Sequence, residues 1–285
     1  NAMLWGLLHA MVKHRGKMTQ NVTGADPSGT DPKGPGHDLH ALLLGGGVDA
    51  SSSPSPASAA TTGFSEDPIA NSQALAEYER LLLAGKRGDA LTLATSRGLW
   101  SHAMLLARHM GERHFAATAA AMARAACTPG SPLHTLEVMF AGVPQDLVGG
   151  QGGGHPGGHP GGHSRTGSIG NAVAGLVGSN DASGSGDVAT PGGDVRTLLP
   201  RWRENLVILA ANRAPGDARV MAALGDALWS EIGDVAASHA AYALAGAAPQ
   251  PFHPTSRLCL MGGDHRRRPR TYATPAAIQR TELLE

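Results

Sequence analysis

His155, His159 and His163 recur every four residues, a spacing that on an α-helix would align three imidazoles as zinc or nickel ligands. The residues between them, HPGGHPGGH, are prolines and glycines. Proline inside a helix removes a backbone donor and clashes with the preceding turn, so no helix forms there to make the alignment. Gly152, Gly154 and Gly157 spell GxGxxG just upstream. A dinucleotide fold needs a strand before that motif and a helix N-terminus after it to hold the pyrophosphate. No strand pattern precedes it and Pro156 sits inside it, so a glycine tract accounts for the match. His102 and His109 lie seven apart, a spacing common on solvated helices, and no carboxylate pair accompanies them. HExxH, GxSxG and Walker patterns are absent. No catalytic residues, cofactor or metal site emerge, and the chain reads as non-enzymatic.

The strongest local charge feature is Arg266-Arg267-Arg268-Pro269-Arg270. As a solvated loop it needs no ligand. As a site, Arg266, Arg267, Arg268 and Arg270 would meet an acidic partner or anionic headgroups, worth about 1 kcal/mol per basic residue near such a surface. Nucleic acid is not expected, because no aromatic platform or folded reader accompanies the run. The formal net charge of the 285 residues is zero, so no global field draws the chain to polyanions. Cys127 and Cys259 stand far apart, form no ligand spacing and suit a reducing cytosol. No apolar run approaches the roughly 18 residues of a membrane span, and no signal peptide is evident.

The elements around these residues are helices. From Ala74 to Gly111 the sequence reads as three short ones, each stopped by a glycine: Gly85, Gly98 and Gly111. Leu75, Tyr78 and Leu82 share one face of the first, and Asp89 is placed to cap the second. Leu91 and Ala94 face inward on the second, and Trp100, Met104 and Ala107 line the third. Helices this short are marginal alone and must stack on neighbours. Leu4, Leu8 and Met11 mark an earlier helix, with Trp5 and Val12 beside it. Asp67-Pro68, Ser131-Pro132 and Thr274-Pro275 are cap-plus-proline starts. The Ser131 start leads into a helix carrying Leu133, Leu136 and Phe140. His114 to Ala126 is a further, alanine-rich helix. Trp202, Leu206 and Leu209 mark the next, and Asp217 is placed to cap the one after it, with Val220, Leu224 and Leu228 inward. Ala237, Ala241 and Leu244 follow the cap Asp234. Trp100, Leu105, Trp202 and Trp229 are assigned to packing. Strand signals are nearly absent.

With 39 glycines and 19 prolines, about a fifth of the chain is of breaker type, and two tracts rich in them read as disordered low-complexity insertions. The organisation that follows is a first helix at 1–18, a linker at 19–63 and the first half of a helical domain at 64–148. A Gly/His/Ser-rich insert at 149–196 precedes the second half at 197–285. Within the linker only Leu39 to Leu44 has the character of a short docking helix.

RLLLAGKRGDALTLATSRGLWSHAMLLARHMG resembles the signature of the Sec-sixteen family, large peripheral scaffolds that organise COPII coat assembly at endoplasmic-reticulum exit sites. The likeness extends through SPLHTLEVMF, WRENLVILAANR, ALGDALWSEIGDVAASHAAYALA and TYATPAAIQRTELLE, in the family's order, and LWGLLHAMVKHRG resembles its first central helix. The resemblance implies an all-α fold, an α-solenoid-like helical unit of the ancestral coatomer type. It implies a scaffold in ER-to-Golgi transport that docks coat subunits, the Sec-thirteen β-propeller and Sec-twenty-three, and that self-associates as a homodimer. The location implied is cytoplasmic, peripheral to the endoplasmic-reticulum membrane through partners. The family donates an extra propeller blade from strands that would lie before Asn1, so this segment would lack that element. The histidine-glycine tract is an expansion relative to the family pattern, and Ala116 to Cys127 matches loosely. The alternative is a generic helical-repeat peptide-binding adaptor; it predicts a repeat near 34 residues, which the sequence does not show.

Overall fold

The computed structural model describes residues 2–16, 34–45, 68–149 and 193–285. The expected cap Asp67, the GxGxxG match and the three tract histidines lie outside the described residues. Among the described residues twelve α-helices run α1 (Ala2–Lys13), α2 (Pro35–Leu44), α3 (Pro68–Leu83), α4 (Arg87–Ser96), α5 (Trp100–Met110) and α6 (Glu112–Ala126). They continue as α7 (Pro132–Phe140), α8 (Gln145–Val148), α9 (Trp202–Ala211), α10 (Asp217–Ala227), α11 (Val235–Leu244) and α12 (Pro275–Leu284). A 3₁₀ turn, Val195–Arg201, leads into α9, and a π-type turn, Leu228–Ile232, extends α10. Among the described residues there is no strand, only an isolated bridge between Leu260 and Gly263. The fold is all-α.

The capping chemistry follows the sequence closely. Ser131 Oγ accepts from the His134 amide at 3.2 Å, Asp234 from Ala237 at 3.0 Å, and Thr274 from Ala277 at 3.2 Å. Each satisfies a first-turn N–H that the helix itself leaves unpaired. Gly85, Gly98 and Gly111 adopt φ of 71°, 71° and 118°, a region closed to most side chains, and so end α3, α4 and α5. Two expected caps differ. Helix α4 starts at Arg87, so Asp89 sits inside its first turn and caps nothing. Asp217 is the first residue of α10, where its Oδ2 accepts from the Ala214 amide and its carboxylate pairs with Arg213.

Two cores result. Helices α3 to α6 each pack on the next in sequence. The interior of α3 to α5 is mostly alanine: Ala74, Ala90, Ala94, Ala103 and Ala107, with Leu91, Leu99 and Leu106. Small side chains let backbones approach closely, and that selects which face turns inward. Thus α3 buries Ala74 and packs Tyr78 and Leu81, while Leu75 and Leu82, expected inside, are exposed. Helix α7 likewise buries Thr135, Val138 and Met139 and turns Leu133 and Phe140 outward, the reverse of the expected face.

The second core is leucine-rich and drawn from distant sequence. Helix α2 packs on α9, and α1 packs on α2, α11 and α12. Leu4, Leu7, Leu8, Leu39 and Leu43 thereby join Leu198, Leu206, Leu209, Leu224 and Leu228. Each such side chain contributes roughly 1.5–3 kcal/mol by leaving water. The helix expected within Leu39 to Leu44 is therefore part of the core, inside the range read as linker. Helices α10 and α11 approach closely at Gly225, where a Cβ would lie 2.6 Å from the Tyr242 ring.

A buried polar latch ties α9 to α7 and to the turns that precede both helices. Asn205 on α9 is fully buried; its Oδ1 accepts from Thr135 Oγ1 at 2.8 Å. Its amide donates to the carbonyls of Gly130 at 2.8 Å and Leu198 at 3.3 Å. Buried polar groups cost little only when satisfied, and this arrangement satisfies three chain segments at once.

Candidate docking surface

The chain between α11 and α12 has almost no regular structure, yet it is pinned throughout. Leu258, Cys259 and Met261 are buried beneath it. The Met261 amide donates to Thr281 Oγ1 at 2.8 Å, and the buried Arg280 donates through Nε to the Met261 carbonyl at 3.0 Å. His239 Nδ1 accepts from the Gly262 amide at 2.8 Å. That bond and burial require a neutral ring, and burial, with the nearby His265, pulls its pKa down to about 4. His265 is buried as well, with Nε2–H donating to the Ser256 carbonyl at 2.9 Å; desolvation lowers its pKa too.

This pinned loop presents the arginine run. Arg266 and Arg267 both lie over the Trp229 ring, each 4.7 Å from its centroid. Arg266 Nε donates to the Ser256 carbonyl at 3.1 Å, and Arg267 Nη2 donates to the Trp229 carbonyl at 3.1 Å. Arg268 and Arg270 are exposed and take no part in that stack. The four expected site residues therefore divide into two that are fixed against an aromatic ring and two that project into water. An aromatic platform does accompany the run, contrary to the sequence reading. Phe252 stacks on Tyr272 with centroids 5.7 Å apart, and His265 meets both rings edge-on. Trp229, Phe252 and Tyr272 stand some 20 residues apart in sequence, so only the fold reveals them together.

Beside the run lies an open polar cleft lined by Asp226, Gln250, His253, Thr255, Ser256, Arg257 and Arg266. Arg257 clamps Asp226 in bidentate fashion at 3.0 and 2.7 Å, and the Tyr242 hydroxyl donates to the same carboxylate at 2.7 Å. Burial and that carboxylate raise the Tyr242 pKa. These contacts satisfy one another, and in the same cleft the Thr255 hydroxyl lies 2.7 Å from His253 Nδ1, an exposed local pair within one turn of the loop.

The other candidates are placed apart. His102 is half-buried against Tyr78, and His109 is exposed. Cys127 is buried, donates to Glu137 Oε2 at 3.3 Å, and has its thiol pushed up to about 11, chiefly by desolvation. Cys259 is free and buried too. Among the described residues no three His, Cys, Asp or Glu side chains gather as metal ligands. Trp100 and Trp202 pack inside as expected, but Leu105 is 74% exposed and Trp229 is a half-buried support for arginines.

Together these features define an all-α domain whose most concentrated chemistry is an arginine–aromatic surface. Residues 79–285 match the family described as the Sec16 Sec23-binding domain, and the chain belongs to the Sec16 family. It is similar to the protein transport protein SEC16B homolog of Arabidopsis thaliana, 36% identical over 213 residues that cover 73% of the chain and 14% of that relative. The SEC16A homolog of the same plant is 34% identical over 209 residues, 73% of the chain and 12% of the relative. The COPII coat assembly protein SEC16 of Chaetomium globosum is 25% identical over 287 residues, 95% of the chain and 14% of that protein. The chain thus spans a small part of the length of these relatives. No solved structure matches it.

Proposed function

We propose that this chain is a non-enzymatic helical scaffold for COPII coat assembly at endoplasmic-reticulum exit sites, supporting ER-to-Golgi transport by docking the coat subunit Sec23. The observation that carries the reading is the family match over residues 79–285, whose description is a Sec23-binding domain. The matched span runs from within α3 to α12, so the candidate binding face lies on those helices, while α1 and α2 complete the leucine core behind α9, α11 and α12. A cytoplasmic position peripheral to the membrane fits a chain in which, among the described residues, no helix is long and apolar enough to cross a bilayer. Docking of the Sec-thirteen propeller and pairing with a second copy are further parts of the proposal, supported by the family resemblance.

Immobilised Sec23 exposed to the 285-residue chain in biolayer interferometry tests the central part. Saturable binding at micromolar concentration is expected. A chain with full helical circular dichroism that leaves Sec23 unbound would overturn it.

A further inference from the structure

Between Gln250 and Tyr272 the sequence holds five arginines and a single aspartate, in a chain whose formal net charge is zero. Charge has therefore been gathered at one place. Among the described residues only Arg257 of the five has a carboxylate within ion-pairing distance, Asp226 at 2.7 Å. The other four form no ion pair among the described residues, the Asp264 carboxylate accepting instead from the Arg267 amide and the Trp229 indole N–H. Two of them are held still, Arg266 by the Ser256 carbonyl and Arg267 by that of Trp229, both against the indole. A guanidinium fixed this way, with donors to spare, is pre-organised to meet a carboxylate through two parallel hydrogen bonds. Phe252, 53% exposed and backed by Tyr272, adds an apolar contact at the same surface.

We propose that the cleft beside Arg257 and the run Arg266–Arg270 bind an acidic, extended peptide segment of a protein partner. Its carboxylates meet the arginines and one apolar side chain covers Phe252. A bilayer is the other polyanion a basic surface can meet. It engages long flexible cations on a flat face. Here the immobilised Arg266 lines a concave polar cleft together with Arg257, and Arg267 is fixed on the same indole beside it, a shape that receives a chain. The proposal does not depend on Sec23 docking.

The test uses a fluorescein-labelled decapeptide of glutamate and aspartate around one phenylalanine, titrated with the 285-residue chain by fluorescence anisotropy. The same peptide with glutamine and asparagine is the neutral control. Saturable binding of the acidic peptide alone is expected, weakening as salt is raised. R268E/R270E, at two exposed side chains, should weaken it about tenfold or more while leaving the thermal melt unchanged. F252A should weaken it several-fold. Binding that R268E/R270E leaves intact, or equal binding of the neutral peptide, overturns the proposal. So does flotation of the chain with phosphatidylserine vesicles while the acidic peptide stays unbound.

Discussion

The stack α3–α6 and the leucine core of α1, α2 and α9–α12 are both helical, but they are held together differently. In the stack each helix touches the next in sequence, and alanines such as Ala90, Ala94, Ala103 and Ala107 set the spacing. In the core, helices from both ends of the chain enclose large side chains, with Leu4, Leu206 and Leu224 all fully buried. The stack gains stability from close approach and short loops. The core gains it from buried area at the cost of closing long loops. The two should fail in opposite ways, one to enlargement and the other to truncation.

The largest effect belongs to the core. Leu224→Ala deletes a side chain with no exposure, between α10 and its neighbours. It should cost about 3–5 kcal/mol, read as a lowered urea midpoint. A loss below about 1 kcal/mol would mean that the core repacks freely, and the contrast with the stack would fall.

Next is the latch between α7 and α9. Asn205→Ala strands the Thr135 hydroxyl and the carbonyls of Gly130 and Leu198. Buried orphans of this kind cost about 3 kcal/mol together. A urea midpoint lowered to match is the expected reading. An unchanged midpoint would show that α7 and α9 hold together without the latch.

Acid should strike the core first. His239 binds its proton less readily when folded, with a pKa near 4 against about 6.5 unfolded. The unfolded chain therefore takes up protons that the folded one refuses, and stability falls as pH drops from about 6.5 to about 4. The loss from this residue approaches about 3 kcal/mol. His239→Asn, which keeps an acceptor for the Gly262 amide, should flatten the dependence of urea midpoint on pH in that window. An unchanged slope would remove His239 as its source.

The stack should resist truncation but not growth. Ala103→Leu adds three carbons at a fully buried site between neighbouring helices. Overpacking there should cost about 2 kcal/mol in urea titration. A neutral outcome would show slack in the alanine interface.

Helix ends were legible in the sequence because they depend on local chemistry: serine, aspartate and threonine caps, prolines at first positions, and glycines at positive φ. Helix faces were legible in the core, where Val220, Leu224 and Leu228 point inward as hydrophobicity predicts. On α4 and α5 they were legible too, with Leu91, Ala94, Trp100 and Ala107 buried as expected. On α3 and α7 the rule that the largest apolar residue goes inside gives way to close packing: Leu75, Leu82, Leu133 and Phe140 are left exposed, as is Leu105 on α5. The arginine run announced itself by charge. Its aromatic partners did not, since Trp229 reaches it from the turn after α10 and Phe252 from the far side of the loop.

The smallest effect concerns where the long insert leaves and rejoins the fold. Gly149 follows α8 and Gly193 precedes the 3₁₀ turn before α9. A Cβ on Gly149 would lie 2.8 Å from the Gly193 carbonyl oxygen, and a Cβ on Gly193 would overlap the Asp146 carbonyl. The chain therefore returns to the point it left, and both positions need glycine because two backbones meet there. Replacing residues 150–192 with ten glycines leaves the route of the described chain unchanged and shortens the connection by about two halvings. Since each halving of loop length is worth about 0.6 kcal/mol, the deletion should stabilise the protein by roughly 1–2 kcal/mol. A higher urea midpoint with an unchanged slope is the expected reading. A lower midpoint would mean that the insert packs on the seam, and that the two regions owe part of their union to a third.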